Sequence, residues 1–163
     1  MVAGGAISPL IGALYLMPLD KLMEDLQATT GIRYQRYMDD YVIFAPTRHK
    51  LRKAIKLMYA VLDDLKVEVH PKKRFIGTTR RGFDFLGYWL EPHRPLTPSQ
   101  VSLTRLIDRS RQLLERTASI ARLRQYVRRW LQWHHSGLRG LTDKRRRFEW
   151  YWRYVLDNYV ASS

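Results

Sequence analysis

The sequence predicts an α+β protein in which a small antiparallel sheet, with helices on one face, precedes a separate all-α bundle of three helices. Residues 1–91 alternate helical periodicity with short apolar strand patterns, and residues 99–163 contain three stretches with apolar residues at helical spacing. Between them, three prolines in residues 92–98 favour a stiff, non-helical linker. A chain of 163 residues is long enough for one moderate core and a smaller appended helical domain.

The first predicted helix covers about residues 8–27. Ser8 is a good N-cap and Pro9 suits the first helical position. Gly31 follows the apolar pattern and is a typical signal for the end of a helix. Because proline in a helix interior removes a hydrogen bond and clashes with the preceding turn, we expect a kink or break just before Pro18.

Two neighbouring carboxylates, Asp39 and Asp40, lie between two apolar runs that indicate the arms of a β-hairpin. Adjacent side chains of an extended chain point to opposite faces, so at most one of the two can point directly at a shared metal ion. We expect Asp39 to be the main ligand, with Asp40 nearby. Carboxylate oxygens suit hard divalent cations such as Mg²⁺ or Mn²⁺. The alternative is structural, since aspartate is favoured in turns through its local hydrogen bonds. Because the pair is flanked by Tyr37-Met38 on one side and by a strongly apolar strand on the other, we favour the metal site over the structural turn.

Three further elements complete the first domain. A Pro-Thr pair at residues 46–47 opens a second amphipathic helix, and a short strand is predicted at residues 67–69. Glycines and aromatic residues within residues 82–89 indicate two short strands joined by a tight turn. An ordinary edge hairpin with Phe85 and Leu86 in the core explains the same pattern.

The positive charge of the chain increases toward its C-terminal end. The net charge is +14, of which residues 97–163 carry +9 and residues 31–96 carry +7, while residues 1–30 carry −2. Such an excess favours a polyanion through counterion release. Nucleic acid suits the pattern better than an anionic membrane, because arginines surround the helices with aromatic residues between them. A solvated helix face would explain any single arginine, but not their joint density. The candidate backbone contacts are Arg122, Arg124, Arg128, Arg129, Lys144, Arg145, Arg146 and Arg147.

Several other classes of site and location are disfavoured. The chain has no cysteine, which excludes a disulfide framework and thiolate metal sites. His134 and His135 are adjacent and diverge on a helix, so they do not supply the four ligands of structural zinc. No apolar run approaches membrane-spanning length and no signal-type segment is present, so we expect a cytoplasmic protein without a membrane partner.

Four motifs together resemble one known family. Residues 37–40, Tyr-Met-Asp-Asp, look like the YxDD box of reverse transcriptases. Residues 4–10 are similar to the Gly-rich segment before the long palm helix in group II intron, retron and diversity-generating retroelement enzymes. Residues 70–73, His-Pro-Lys-Lys, resemble the family's Asn-Pro-x-Lys loop, and residues 82–88 look like its primer-grip hairpin. With the basic tail, the resemblance covers nearly the whole chain.

The resemblance implies an RNA-directed DNA polymerase, a nucleotidyltransferase that works with two metal ions, Mg²⁺ or Mn²⁺. Residues 1–91 would be a partial polymerase palm and residues 99–163 a thumb. The implied partners are an RNA template with a DNA primer, and a dNTP. Asp39 and Asp40 would be catalytic metal ligands, and Lys73 would lie near the pyrophosphate. The residues implied in nucleotide or template binding are Gly4, Gly5, Ser8, Pro9, Tyr37 and Met38. Those implied in the primer grip are Phe85, Leu86, Gly87 and Tyr88.

The chain departs from the family pattern at its start. The strand with the first catalytic aspartate and the fingers are expected to precede the Gly-rich segment, and Val2 and Ala3 replace the usual Pro-Gln. Three functions follow as alternatives. The chain is a polymerase palm and thumb that another chain or segment completes, a non-catalytic RNA or RNA/DNA duplex-binding module, or a decayed reverse transcriptase fragment.

Overall fold

The structure, a computed structural model, describes residues 7–70, 74–116, 119–138, 140–143 and 145–160. The chain divides into two compact units, Met1–Arg74 and Phe75–Ser163. Two small antiparallel sheets are combined with helices, which confirms the predicted α+β class. The division lies before the proline-rich residues 92–98, so these residues belong to the second unit.

Two consecutive helices open the described part of the first unit. Helix α1 is Ser8–Tyr15 and helix α2 is Met17–Thr30, with Leu16 between them and Pro18 in the first turn of α2. The predicted break is confirmed, because proline is tolerated where the backbone N–H needs no helical partner. Ser8 is the first helical residue of α1 and not its N-cap, one position from the prediction. Gly31 ends α2 in the left-handed conformation, with φ 73°.

A two-stranded hairpin and one long helix complete the first unit. Strand β1, Arg33–Tyr37, pairs antiparallel with strand β2, Asp40–Phe44. Helix α3, Arg48–Asp64, begins after Thr47, whose side chain accepts a hydrogen bond from the Lys50 N–H at 3.3 Å. The buried core residues of the first unit come from α2, α3 and the hairpin region: Leu19, Met23, Leu26, Ile32, Tyr34, Ala54, Met58 and Leu62.

The strand predicted at residues 67–69 is wrong. These residues have no strand partner in the described part of the chain. The Val67 N–H donates to the Leu62 carbonyl at 2.8 Å, which folds the chain back on the end of α3. Val67 and Val69 pack against the core of the first unit. Their alternating apolar pattern therefore reflects half-burial of an irregular segment.

The second unit begins with a three-stranded antiparallel sheet. Strands β3, Phe83–Phe85, and β4, Tyr88–Leu90, form the predicted tight hairpin. Its two turn residues, Leu86 and Gly87, both have positive φ, as a type I′ turn requires. Strand β5, Thr97–Pro98, pairs with β4, so the end of the predicted linker is part of this sheet.

Gly82 precedes this hairpin in a conformation that other residues rarely adopt. Its φ is 67° and its ψ is 164°. The indole ring of Trp89 lies over the glycine, where a side chain would otherwise project. The absence of a side chain at Gly82 therefore leaves the space that the Trp89 ring fills.

Three helices in the described part of the second unit pack on one another, as predicted. Helix α4 is Gln100–Glu115, α5 is Ile120–His135 and α6 is Phe148–Val160. Ser99 and Ser119 cap α4 and α5 through their side-chain oxygens. The buried apolar residues of this core are Leu103, Leu106, Leu123, Val127, Tyr151 and Val155. Within the described residues, no helix is long and apolar enough to cross a membrane.

Candidate functional site

The tip of the first hairpin carries the two predicted catalytic carboxylates. Tyr37 pairs with Asp40, which leaves Met38 and Asp39 as a two-residue turn. Asp39 and Asp40 are both exposed, and Tyr37 and Met38 are 57% and 52% exposed. The predicted position of the acidic pair on a tight β-turn is therefore observed.

The turn holds one residue in an unusual backbone conformation. Met38 has φ 56°, in the left-handed region that side chains other than glycine, asparagine and aspartate rarely occupy. A non-glycine residue in this region persists only where its surroundings hold it there, and such residues cluster at functional sites. The conformation directs the chain from β1 into Asp39.

A hydrogen-bonded ion pair lies directly behind this turn. The Arg36 Nε donates to Asp20 Oδ1 at 2.7 Å, and its Nη2 pairs with Asp20 Oδ2. The Arg36 Nη1 donates to the Met38 carbonyl oxygen at 2.8 Å, and Nη2 reaches the Ala13 carbonyl at 3.4 Å. One guanidinium therefore joins α1, α2 and the turn. Sequence analysis missed this role of Arg36, because only its position just before the acidic motif could have indicated it.

The electrostatics of the pair keep both partners charged. The hydrogen bond from Arg36 holds the pKa of Asp20 below its ordinary value, and Tyr34 adds a further hydrogen bond at 2.8 Å. Burial, reinforced by Asp20, raises the pKa of Tyr34. A polar cleft of about 300 Å³ opens beside this network. Its lining residues are Asp20, Met23, Glu24, Gln27, Tyr34, Gln35 and Arg36.

The residues present fit part of a magnesium site. Asp39 and Asp40 offer the hard oxygen atoms that Mg²⁺ prefers. Within the described residues, no group of three or more His, Asp or Glu side chains lies together as a metal site. Asp20 does not complete the set, because Arg36 engages both of its carboxylate oxygens. The described residues therefore supply two candidate carboxylate ligands and no third acidic or histidine side chain grouped with them.

Some predicted site residues lie outside the described part of the chain, namely Gly4, Gly5, Lys73 and Lys144. Ser8 is half-buried at the start of α1, and Pro9 follows it in the same helix. Their predicted roles toward a nucleotide or template stay predictions.

The hairpin compared with a primer grip is firmly attached within the second unit. Phe85 and Tyr88 pair across it, and Leu86 is exposed at its turn. The Tyr88 hydroxyl donates to the His134 carbonyl oxygen in α5 at 2.7 Å. The Gly87 carbonyl accepts a hydrogen bond from the Ser99 N–H at 2.9 Å. The hairpin is thus tied to the start of α4 and to the end of α5.

His134 is buried between aromatic rings. Its ring centroid lies 4.2 Å from that of Tyr88 and 5.1 Å from that of Trp130. Burial lowers the pKa of His134 to about 4, and the neighbouring His135 contributes in the same direction. His135 instead shares a hydrogen bond of 2.8 Å with the Thr142 hydroxyl. The two histidines thus have separate surroundings, and the described residues place no third metal ligand beside them.

The predicted nucleic-acid arginines divide into two groups. Arg124 and Arg128 lie over the Phe148 ring, at 5.5 and 5.2 Å from its centroid. Arg146 lies 4.4 Å from the centroid of Trp150. Guanidinium groups at such distances are attracted to aromatic faces. These arginines therefore contribute to packing as well as to surface charge.

The second group of arginines lies on another side of α5. Arg122 and Arg129 are exposed and seven residues apart, and Trp133, 67% exposed, follows four residues later. Seven residues correspond to about two helical turns, so all three share one side. Arg145 and Arg147 are also exposed.

Sequence analysis missed a set of arginines on α4. Arg105 and Arg109 lie four residues apart on the exposed side of that helix. Burial raises the pKa of Tyr126 in α5, and the charge of Arg109 opposes this effect, so Arg109 lies near that ring. The spacing of the arginines in α4 was the signal that could have found them.

These observations define an α+β protein with an exposed pair of carboxylates on a β-hairpin and a basic helical bundle. The family model described as reverse transcriptase (RNA-dependent DNA polymerase) matches residues 1–90. This match spans more than half of the chain, and the chain belongs to that family. A search of curated proteins found no match.

Proposed function

We propose that this chain is the palm and thumb portion of an RNA-directed DNA polymerase of the retroelement type, related to group II intron, retron or diversity-generating retroelement enzymes. The observation that carries the proposal is the exposed Asp39–Asp40 pair at the tip of a tight hairpin in a member of the reverse transcriptase family. Residues 1–91 form the palm portion and residues 99–163 the thumb. An RNA template, a DNA primer and a dNTP are the substrates.

Asp39 and Asp40 would hold Mg²⁺ or Mn²⁺ at this site, Asp39 as the main ligand. Bound divalent metal supplies the charge that lowers the pKa of a primer 3′-hydroxyl and stabilises the leaving pyrophosphate. Tyr37 and Met38 present apolar surface beside the carboxylates, where they would contact the nucleotide or template. Lys73 would act electrostatically near the pyrophosphate. A further carboxylate would come from another segment or another chain.

The second candidate function is duplex binding without catalysis, by the basic helices of the second unit. It is favoured by the exposed arginines of α4 and α5, among them Arg105, Arg109, Arg122 and Arg129. Such a module needs neither a complete ligand set nor a free 3′-hydroxyl. Its affinity arises from phosphate contacts and counterion release. A decayed fragment would retain the two cores but neither activity.

Primer extension on an RNA template tests the polymerase proposal. The chain is assayed with Mg²⁺ and with Mn²⁺, alone and together with a reverse transcriptase fragment that contains the fingers and the first catalytic aspartate. We expect extension in the combined assay, with a loss of at least about 100-fold in Asp39→Asn, because a metal ligand is removed. Asp63→Asn, which removes an exposed carboxylate from the last turn of α3, is the matched control and should retain activity. Absence of extension in every combination would reject the polymerase.

A further inference from the structure

We propose that Arg36 is a positioning residue, which fixes the Met38–Asp39 turn and so presets the direction of the two carboxylates. The part of the inference that concerns metal binding rests on the proposed function. The part that concerns the turn rests on the contacts of Arg36 alone. In this role Arg36 acts through the backbone carbonyl of Met38 and not through a direct contact with the carboxylates.

One hydrogen bond of Arg36 goes to Met38, the residue that precedes Asp39. Its Nη1 donates to the Met38 carbonyl oxygen at 2.8 Å, and this carbonyl belongs to the peptide group that also contains the Asp39 N–H. Fixing the plane of that peptide limits the directions in which Asp39 leaves the turn, because peptide groups are planar. The positive φ of Met38, 56°, needs such a restraint from its surroundings.

The guanidinium is itself held from the other side. Asp20, in the first turn of α2, engages its Nε and Nη2 in a two-point pair. The Tyr34 hydroxyl donates to the same carboxylate at 2.8 Å. The side chain of Arg36 is only 11% exposed and that of Asp20 is 25% exposed, so the pair is partly shielded from water. The turn is therefore braced against a helix and not only against its own strand.

Only arginine supplies this geometry. Its planar group presents donors in a fixed fork, which allows Nε and Nη2 to bind a carboxylate while Nη1 points to a carbonyl. Lysine keeps the positive charge but has a single ammonium group on a flexible stem. Arg36→Lys therefore separates a positioning role from a general electrostatic one. Arg33, exposed on the same strand, provides the matched control as Arg33→Lys.

The experiment combines Mn²⁺ titration with NMR spectroscopy of the full chain. Relaxation of the Asp39 and Asp40 amide signals by Mn²⁺ gives a site-specific affinity, and Met38 chemical shifts without metal report the turn. We expect Arg36→Lys to weaken Mn²⁺ binding about tenfold, the scale seen when groups that orient metal ligands are removed. The Met38 shifts should move toward more common backbone conformations. Asp20→Asn should act in the same direction, whereas Arg33→Lys should match the unaltered chain.

The possible outcomes test the positioning role and the metal function separately. Unchanged Mn²⁺ affinity and unchanged Met38 shifts in both Arg36→Lys and Asp20→Asn would overturn the positioning role. If the unaltered chain shows no Mn²⁺ effect at Asp39 while Arg36→Lys moves the Met38 shifts, the metal function fails and the bracing of the turn stands. The unfolding free energy of every variant is also measured, which separates a local effect on the turn from loss of the fold. If Arg36 had a purely structural role, the unfolding free energy and the Mn²⁺ affinity would fall together.

Discussion

Burial of His134 makes the stability of the second unit depend on pH. The ring lies between Tyr88 and Trp130, and among the described residues neither of its nitrogens has a hydrogen-bond partner. Its pKa is lowered to about 4, from an ordinary value of 6.5. The folded state therefore prefers the neutral ring, while the unfolded chain takes up a proton as the pH falls below 6.5. Stability from this residue is present above pH 6.5 and is lost between 6.5 and 4.

The variant His134→Phe should remove most of this dependence. The full loss for the unaltered chain is about 3 kcal/mol, because each pKa unit corresponds to roughly 1.4 kcal/mol. Urea unfolding at pH 7.5 and at pH 5 should show about 2 kcal/mol of this loss, because pH 5 lies above the folded-state pKa. His49→Phe, at an exposed position of α3, is the control and should leave the pH dependence intact. If the unfolding free energy fell equally between pH 7.5 and pH 5 in His134→Phe and in the unaltered chain, the pH dependence would not arise from His134.

Residue pairs that are distant in sequence were the hardest to predict. The acidic turn was found because two carboxylates between apolar runs form a local pattern. Arg36 and Asp20 are sixteen positions apart, and nothing in either segment alone indicates that they meet. The aromatic cage of His134 was missed for the same reason, since Tyr88 is far along the chain. Local sequence patterns predict elements, whereas these side-chain partners depend on how the elements pack.

The N-caps of α4 and α5 differ in their surroundings and so in their expected contribution. Ser99 is fully buried, and its hydroxyl accepts from the Ser102 N–H at 3.2 Å. Ser119 is exposed and makes the equivalent bond to the Arg122 N–H at 3.3 Å. Water can replace the cap at Ser119 but not at Ser99.

Replacing each cap by alanine tests this difference. We expect Ser99→Ala to lower the unfolding free energy by about 2 kcal/mol and Ser119→Ala by about 0.5 kcal/mol, the upper and lower parts of the range for caps. Chemical denaturation followed by circular dichroism provides the values. Equal costs at the two positions would show that burial of the cap is unimportant.

Elements with local signals were predicted well. Proline before a helical pattern marked the start of α2, and glycines with aromatic residues marked the β3–β4 hairpin. The predicted strand at residues 67–69 failed because a strand is defined by its partner, which apolar alternation does not reveal. The predicted linker at 92–98 reflected proline content correctly, but its last two residues pair with β4.

At the scale of the whole molecule, the charge of +14 should dominate association with nucleic acid. We expect affinity for an RNA/DNA duplex to fall steeply as salt rises, because released counterions are the main driving force. Each backbone contact contributes about 0.9 to the slope of log K against log salt. Arg122→Gln and Arg129→Gln should each reduce the slope by about one.

Two controls accompany this binding measurement by fluorescence anisotropy. Arg124→Gln should reduce the slope less, because its guanidinium lies over the Phe148 ring. Asp39→Asn should bind as the unaltered chain does, since the substitution removes no basic side chain that could contact a phosphate. Affinity that is weak and insensitive to salt would contradict a nucleic-acid partner.

Gly82 sets a limit on how this protein can diverge or be redesigned. A Cβ atom there would lie 2.5 Å from the nearest atom of the Trp89 indole, and the backbone angles belong to a region that is essentially restricted to glycine. A larger residue would therefore have to displace the ring and also leave that region. A library that spans this segment would therefore keep one glycine codon unvaried at position 82.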